Sequence, residues 1–366
     1  MVQNPLKNVE LLKVLGSGAY GTVFLACSKS PQSPPSNPNT TFALKIVKKP
    51  QKSKDIQHLK DEIQVLKNLK NPFFCEMLSC SESKSKIFIS MEFLGGGELF
   101  TLAQDLQNLD EKNAKFYLAE IVLGLEYLHS ANVLYRDLKP ENVMIDRTGH
   151  CKLVDFGLSK FNFGGKLVNP KTSTFCGTLP FMAPEMHNRV PYGYPIDLWA
   201  LGCLAFDLLT GAPPFYTDSN EDTIFLIKHG SVNVPKNLSR NCEIFLRKLL
   251  MKNEEKRWGL NEVKGSAFFE DIDWGTVLLK GYQPPYVPML KGDMDVSNFD
   301  KKDTELNVEE VLGELDSDDE EGDEDEEFMD FEFENEDMSS SGSESLLINI
   351  RFEIGIIIFD LQSFFL

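Results

Sequence analysis

Three consecutive glycines, Gly95-Gly96-Gly97, divide the sequence into two halves of different character. Three residues without a Cβ are costly inside a helix or strand, so a joint is expected there. The half ahead of it reads mostly as strands. Val9 to Leu15 leads into a glycine-rich turn, and Tyr20 to Cys27 returns as the second strand of a hairpin. Thr41 to Val47 and Ile87 to Phe93 read as further strands, and residues 30–41 as a polar, proline-rich loop. One helix interrupts them. Ile56, Leu59, Ile63, Leu66 and Leu69 recur at spacings of three and four, which predicts an amphipathic helix over 54–70. Behind the joint, Phe116, Ala119, Val122, Leu125 and Leu128 keep helical spacing, and Ile196–Leu209 and Glu243–Met251 read as further helices. The expected fold is α+β, a small β-rich lobe joined to a large helical one.

With 366 residues, 42% apolar and 25% charged, the chain is long enough for real cores and ordinary in composition. Its formal charge of −19 is concentrated. Residues 314–337 hold sixteen Asp and Glu and no Lys or Arg, and setting them aside leaves −3 for the rest. The body is therefore nearly balanced, and the acidity belongs to a tail too charged to pack unless something clamps it. No nucleic-acid partner is expected. The seven cysteines form no CxxC pair, and Met1 to Glu10 has no apolar signal core, so a reducing compartment is expected: the cytoplasm, with the nucleus open as well. Residues 345–366 are apolar, but Arg351, Glu353 and Asp360 interrupt them, so a membrane anchor is not expected. An added strand, a sticky tail or an extension foreign to the natural protein stay open.

The chemistry lies in short strings. Gly16-Ser17-Gly18-Ala19-Tyr20-Gly21-Thr22-Val23 has the GxGxxGxV pattern. Dinucleotide sites share GxGxxG but need a helix next, whereas here an apolar, β-branched strand follows. A glycine-rich hairpin can lie close over a triphosphate; by itself it is also an ordinary turn. Ala43-Leu44-Lys45 follows on the next strand. A lone strand Lys is usually a surface residue, but Glu62, 17 residues on, sits on the apolar-flanked face of the following helix. A lysine binding phosphates in a cleft needs such a carboxylate to orient it. Tyr135-Arg136-Asp137-Leu138-Lys139-Pro140-Glu141-Asn142 is the most specific string. Asp137 can accept the proton of an attacking hydroxyl, Lys139 can neutralise a γ-phosphate, and Asn142 can hold a metal ion. Asp155-Phe156-Gly157 stands thirteen residues later, and its Asp can ligate Mg²⁺. Phosphoryl transfer asks for little more than a positioned nucleophile and cations on the transferring charge. Glu185 of Ala183-Pro184-Glu185 is expected to pair with Arg257, and Asp197 to brace the catalytic loop as a buried acceptor.

Together these strings resemble the protein-kinase signature set over roughly residues 9–337. Tyr135 in the place of the usual His, Thr174-Phe175-Cys176-Gly177-Thr178, Pro285-Tyr286-Val287-Pro288 and Asn298-Phe299-Asp300 are similar to the AGC group. Within it, Thr172–Thr178, Gly96–Phe100 and Leu209–Phe215 look most like the ribosomal-protein kinase branch.

That resemblance implies a bilobal fold with a catalytic domain at 9–269 (lobes 9–93 and 94–269), a tail at 270–337 and an extension of unknown role at 338–366. It implies a Ser/Thr kinase using ATP and Mg²⁺, the metal on Asn142 and Asp155. Gly16, Ser17, Gly18, Ala19, Tyr20, Gly21, Val23, Ala43, Lys45 and Glu62 would bind nucleotide, with Met91 as gatekeeper. Glu92 and Leu94 would offer backbone groups to adenine, and Glu98 would reach the ribose or a substrate Arg. Glu141 also belongs to the binding set. Glu98, Glu141 and Asp207 imply substrates with basic residues upstream of the Ser or Thr. Leu179-Pro180-Phe181 departs from the family pattern by losing a Glu, which implies relaxed specificity. Thr174 would be phosphorylated by an upstream kinase, its phosphate pairing with Arg136, which is expected to lack a partner beforehand. Phe328-Met329-Asp330-Phe331-Glu332-Phe333 has the form of a hydrophobic motif, with Glu332 at the phosphoacceptor position. A monomer is expected. The competing expectation is a nucleotide-binding scaffold without turnover, although Lys45, Asp137, Asn142 and Asp155 are all present.

Overall fold

Antiparallel pairing organises the first lobe. Strand β1 (Val9–Gly18) pairs with β2 (Gly21–Ser28), and β2 with β3 (Thr41–Lys48). Helix α1 (Ser53–Asn68) follows, then β4 (Met77–Glu82) and β5 (Lys86–Met91). The computed structural model describes residues 6–18, 21–29, 41–161, 171–317 and 333–334. These belong to one compact unit, Met1–Glu334; Asn335–Leu366 form a second that lies outside them. Also outside are Ala19, Tyr20, residues 30–40, and the Phe328–Glu332 portion of the tail motif.

The sequence reading ended the first strand at Leu15. In the structure β1 runs on to Gly18, because Ser17 and Gly18 pair with Thr22 and Gly21 across the hairpin. Strand β4 was not anticipated at all. Its Met-Leu-Ser-Cys-Ser-Glu sequence carries little strand signal, and its pairing with β5 decides it.

The second lobe holds α2 (Leu99–Asp105), α3 (Glu111–Ser130), α4 (Pro184–His187), α5 (Pro195–Thr210), α6 (Asn220–His229), α7 (Arg240–Leu249), α8 (Leu260–Lys264) and α9 (Trp274–Leu278). Four short strands, β6 (Val133–Leu134), β7 (Val143–Ile145), β8 (Cys151–Leu153) and β9 (Lys160–Phe161), pair as β6–β9 and β7–β8. Asp110 starts α3 by accepting from the Asn113 N–H at 2.8 Å. Along α5 every residue from Ile196 to Leu209 is buried. Among the described residues no helix is long and apolar enough to cross a membrane.

After α9 the chain returns to the first lobe. Asn298 Nδ2 donates to the Gly95 carbonyl at 3.0 Å, and a Cβ on Gly97 (φ 77°) would strike the Asn298 backbone, so the joint needs glycine there. Then come α10 (Lys301–Thr304) and α11 (Val308–Ser317). The acidic run was expected to stay unpacked from residue 314. Instead α11 continues to Ser317, because Val308, Val311, Leu312 and Leu315 pack on a cluster with Leu6, Val9, Leu11 and Phe42. Finally β10 (Phe333–Glu334) joins the edge of the sheet, Phe333 opposite Cys80 and Glu334 opposite Ser79. The strand order is β1-β2-β3-β5-β4-β10.

Candidate active site

The apolar stripe of α1 faces the sheet and carries Glu62 with it. Lys45 of β3 is 9% exposed, and its Nζ lies 2.5 Å from Glu62 Oε1. Burial pushes the Glu62 carboxyl up; Lys45 pulls it back. On the hairpin, the glycines are glycine for different reasons. A Cβ on Gly21 (φ 122°) would run into the Ile46 carbonyl, so the fold itself demands that residue. At Gly16 and Gly18 a Cβ would meet nothing within 4 Å. Packing leaves open space there, which suits the close approach of phosphates. Ser17 Oγ lies 3.2 Å from Thr22 Oγ1.

Beneath the hairpin Leu15, Leu25 and Ala43 form an apolar cluster with Val23, Phe93, Val296 and Phe299. At the joint, the Glu92 N–H donates to Glu76 O, and its side chain is held by Lys152. Its carbonyl meets only Cys75 Sγ, at 3.8 Å, among the described residues. The Leu94 N–H makes no hydrogen bond among them. An acceptor and a donor two residues apart thus border an apolar slot, as an adenine ring requires. Met91 stands opposite Ala43 and Met77. The sequence reading missed Val296 and Phe299 as slot residues. Asn298-Phe299-Asp300 signalled a returning tail, but only the fold stacks Phe299 on Phe93, with ring centroids 5.7 Å apart.

The catalytic string closes into a hydrogen-bonded ring. Asp137 Oδ1 accepts from Thr178 N at 3.0 Å and Thr178 Oγ1 at 2.8 Å. Asp137 Oδ2 accepts from Asn142 Nδ2 at 2.9 Å and lies 3.0 Å from Lys139 Nζ. Lys139 also donates to Thr178 Oγ1 at 2.9 Å. Asn142 Nδ2 gives its second hydrogen to Asp137 O at 2.8 Å, which leaves its oxygen to hold a cation. Asp197, 1% exposed, sets the loop from behind: it accepts from Tyr135 N at 3.1 Å and Arg136 N at 2.9 Å, and meets His129 Nε2 at 2.8 Å.

Phe156 is buried edge-on against Phe74 and Tyr135, and its neighbour Asp155 is exposed in a left-handed conformation, φ 55°. Arg136 is left-handed too, φ 70°. Such conformations cost energy and persist where the surroundings over-determine them. Among the described residues no cluster of three or more His, Cys, Asp or Glu side chains is built to cage a metal. Asn142 and Asp155 instead fit a cation whose remaining ligands come from a nucleotide.

Three acids gather beside this ring. Burial and then Glu141 push the Glu98 carboxyl up, and the same two causes, in the same order, push Asp207 up to about 7. Glu141 Oε2 is buried with no hydrogen-bond partner among the described residues. Lys139 and Lys302 offset part of that rise at Glu98, and the shift stays upward. Elsewhere, Arg257 and Glu185 pair at 2.6 and 3.0 Å, and Leu179–Phe181 forms a single turn with Phe181 buried near Met186 and Trp199.

Thr174 Oγ1 lies 3.3 Å from Thr172 Oγ1, which accepts from Lys160 Nζ at 3.5 Å. Arg136 donates through Nε to Leu158 O at 2.5 Å and through Nη2 to Ser159 O at 3.4 Å; Nη1 is buried without a hydrogen bond among the described residues. The expectation that Arg136 has no partner before phosphorylation needs correcting. The carboxylate of Asp61 on α1 lies within electrostatic reach of it.

A family profile described as "Protein kinase domain" matches residues 9–269. The chain is similar to "Ribosomal protein S6 kinase beta" of Caenorhabditis elegans, 39% identical over 308 residues, 82% of this chain and 55% of that one. It is 37% identical to "Serine/threonine-protein kinase gad8" of Schizosaccharomyces pombe over 311 residues, 83% of this chain and 53% of that one. It is also 37% identical to "Ribosomal protein S6 kinase 2 alpha" of Gallus gallus over 310 residues, 83% and 40% respectively. The chain spans about half the length of the curated relatives it matches.

Proposed function

This chain belongs to the protein kinase family, and on that premise we propose that it transfers the γ-phosphoryl group of ATP to serine or threonine hydroxyls lying beside basic residues. The observation that carries the reading is the Asp137 carboxylate, held from four sides by Thr178, Asn142 and Lys139. A carboxylate fixed in this way accepts the proton of an attacking hydroxyl as the new P–O bond forms. Lys139, beside it, takes the charge on the moving phosphoryl group. Lys45, kept in place by Glu62, holds the remaining phosphates under the glycine hairpin. Bound Mg²⁺ supplies further neutralisation of the polyphosphate, with Asn142 and Asp155 as the residues that would hold it.

Substrate choice follows from the acids. Glu98, Glu141 and Asp207 crowd together so that Glu98 and Asp207 are both pushed up despite Lys139 and Lys302 near Glu98, and an Arg or Lys of the substrate would relieve that crowding. Activation follows from Lys160, which reaches Thr174 through the Thr172 hydroxyl, and from Arg136, which lies against Tyr192, whose hydroxyl donates to the Thr174 carbonyl; a phosphate placed there by an upstream kinase finds two cations.

The test is transfer from Mg-ATP to arginine-containing Ser/Thr peptides. The wild type is expected to phosphorylate them. Asp137→Asn is expected to lose ~10³-fold in rate while still binding a fluorescent ATP analogue. Thr174→Ala is expected to transfer slowly before and after treatment with an activating kinase. A wild type that binds the analogue but never transfers, even after that treatment, would make the chain a nucleotide-binding scaffold. Preference for acidic or proline-directed peptides would overturn the basic-substrate reading.

A further inference from the structure

Thr174 is pinned before any phosphate reaches it. Its N–H donates to Thr172 Oγ1 at 3.4 Å, and its own hydroxyl lies 3.3 Å from the same oxygen. Its carbonyl accepts a hydrogen bond from the Tyr192 hydroxyl. Thr172 in turn is laced to Tyr192 through the backbone, Thr172 N to Tyr192 O at 3.0 Å and Tyr192 N to Thr172 O at 2.9 Å.

Tyr192 stands three residues ahead of α5 and is 1% exposed, in one apolar cluster with Phe181, Met182, Met186, Ile196 and Trp199. That seat fixes the ring, and the ring aims a hydroxyl that needs a partner once it is buried. The partner it takes is the backbone of Thr174, with Cys176 Sγ 3.9 Å away. From there the segment runs on to the catalytic loop. Gly177 (φ 106°) packs so closely that a Cβ on it would lie 2.9 Å from the Arg136 carbonyl oxygen. Thr178 gives both its N–H and its hydroxyl to Asp137 Oδ1. Tyr192 therefore anchors one end of a segment whose other end touches Asp137.

We propose that Tyr192 is a positioning residue that acts in two opposed directions. Its hydroxyl holds the Thr172–Thr178 segment against the catalytic loop, which supports transfer by the unphosphorylated chain. The same hydrogen bond must open before Thr174 can extend into the cleft of an upstream kinase, so it slows the phosphorylation that activates the chain. Thr174 is only half-buried, and what withholds it is this grip on its backbone rather than depth. A local opening limited by one hydrogen bond responds about fivefold to the loss of that bond. The inference rests on the proposed activation at Thr174.

The experiment compares wild type and Tyr192→Phe in the full chain; the substitution keeps the ring and deletes the hydroxyl. An upstream kinase is chosen because it phosphorylates a free peptide of residues 168–180, and phosphate uptake at Thr174 is followed by mass spectrometry. Tyr192→Phe is expected to take up phosphate about fivefold faster than the wild type, moving toward the free peptide. Amides of residues 172–178 are expected to exchange faster, with the melting transition nearly unmoved. Before phosphorylation, kcat on an arginine peptide is expected to fall about fivefold. After it, the variant is expected to match the wild type, because the phosphate on Arg136 and Lys160 replaces the lost hold. Unchanged or slower uptake at Thr174 overturns the clamp. An unphosphorylated kcat equal to the wild type's, or equal losses before and after phosphorylation, overturns the positioning role. Uptake and exchange need no transfer by this chain. A chain that takes phosphate at Thr174 but never transfers it would defeat the proposed function, while faster uptake and exchange in Tyr192→Phe would still uphold the hold on Thr174 and unchanged values would reject it.

Discussion

Helices α1 and α5 are both 16 residues long, and they are held in opposite ways. From Ile196 to Leu209, α5 is buried on all sides, and it ends at Gly211 in the left-handed conformation that closes a helix well. Along α1, among the described residues only Leu59, Glu62, Ile63, Val65 and Leu66 are buried, and Lys52 at its start provides no side-chain cap. Its defining contact is the charge pair Lys45–Glu62. Hydrophobic burial is non-directional and indifferent to ionisation or modification. Charge contacts respond to both. One helix is therefore a fixed frame for the catalytic loop, and the other is an adjustable part.

The sharpest way to break this contrast is to damage each helix by a similar amount. Glu62→Gln on α1 is expected to lower transfer by ~10²-fold or more, with the main thermal transition shifted little. If transfer and the transition fell together, α1 would be frame and not switch. Leu204→Ala on α5 should do the reverse, removing about 2–5 kcal/mol of stability, read by denaturant titration, while the folded fraction keeps its kcat. A selective loss of kcat there would mean that α5 also steers chemistry.

The two acids on α5 sharpen the comparison further. Asp197 is satisfied by the catalytic loop, whereas the Asp207 carboxylate accepts no hydrogen bond among the described residues and is pushed up to about 7 by burial and then Glu141. Below that pH it is neutral and loses its hold on a cationic substrate residue. KM for an arginine peptide is therefore expected to rise up to ~10-fold from pH 8 to pH 6, following the ionised fraction, and Asp207→Asn should flatten that slope. The smallest effect concerns the returning tail. Phe299→Ala removes the ring stacked on Phe93 and should raise the ATP KM several-fold, about 1 kcal/mol, without altering peptide KM.

Local strings made the centre of the site legible. Asp137, Lys139 and Asn142 lie within six residues, so one loop sets their mutual geometry. Glu62 was legible because helical spacing put it among apolar residues facing the sheet. Phe299 was not, since it meets its partner across the fold. The packing of α11 was hidden for another reason. Val308, Val311, Leu312 and Leu315 keep helical spacing, but they adjoin and overlap an acidic run whose charge argues for solvent.

Read alone, the amino-acid order determined two lobes, the joint at Gly95–Gly97 and the chemistry of the catalytic string, because periodicity, glycine freedom and short loop spacing act over a few residues. Only tertiary structure decided that the tail helix covers the first lobe and that Phe299 closes the apolar slot. It also decided which of two adjacent acids, Asp61 and Glu62, pairs with Lys45. These are contacts between segments far apart in the chain, and burial against the whole fold, rather than local preference, selects them.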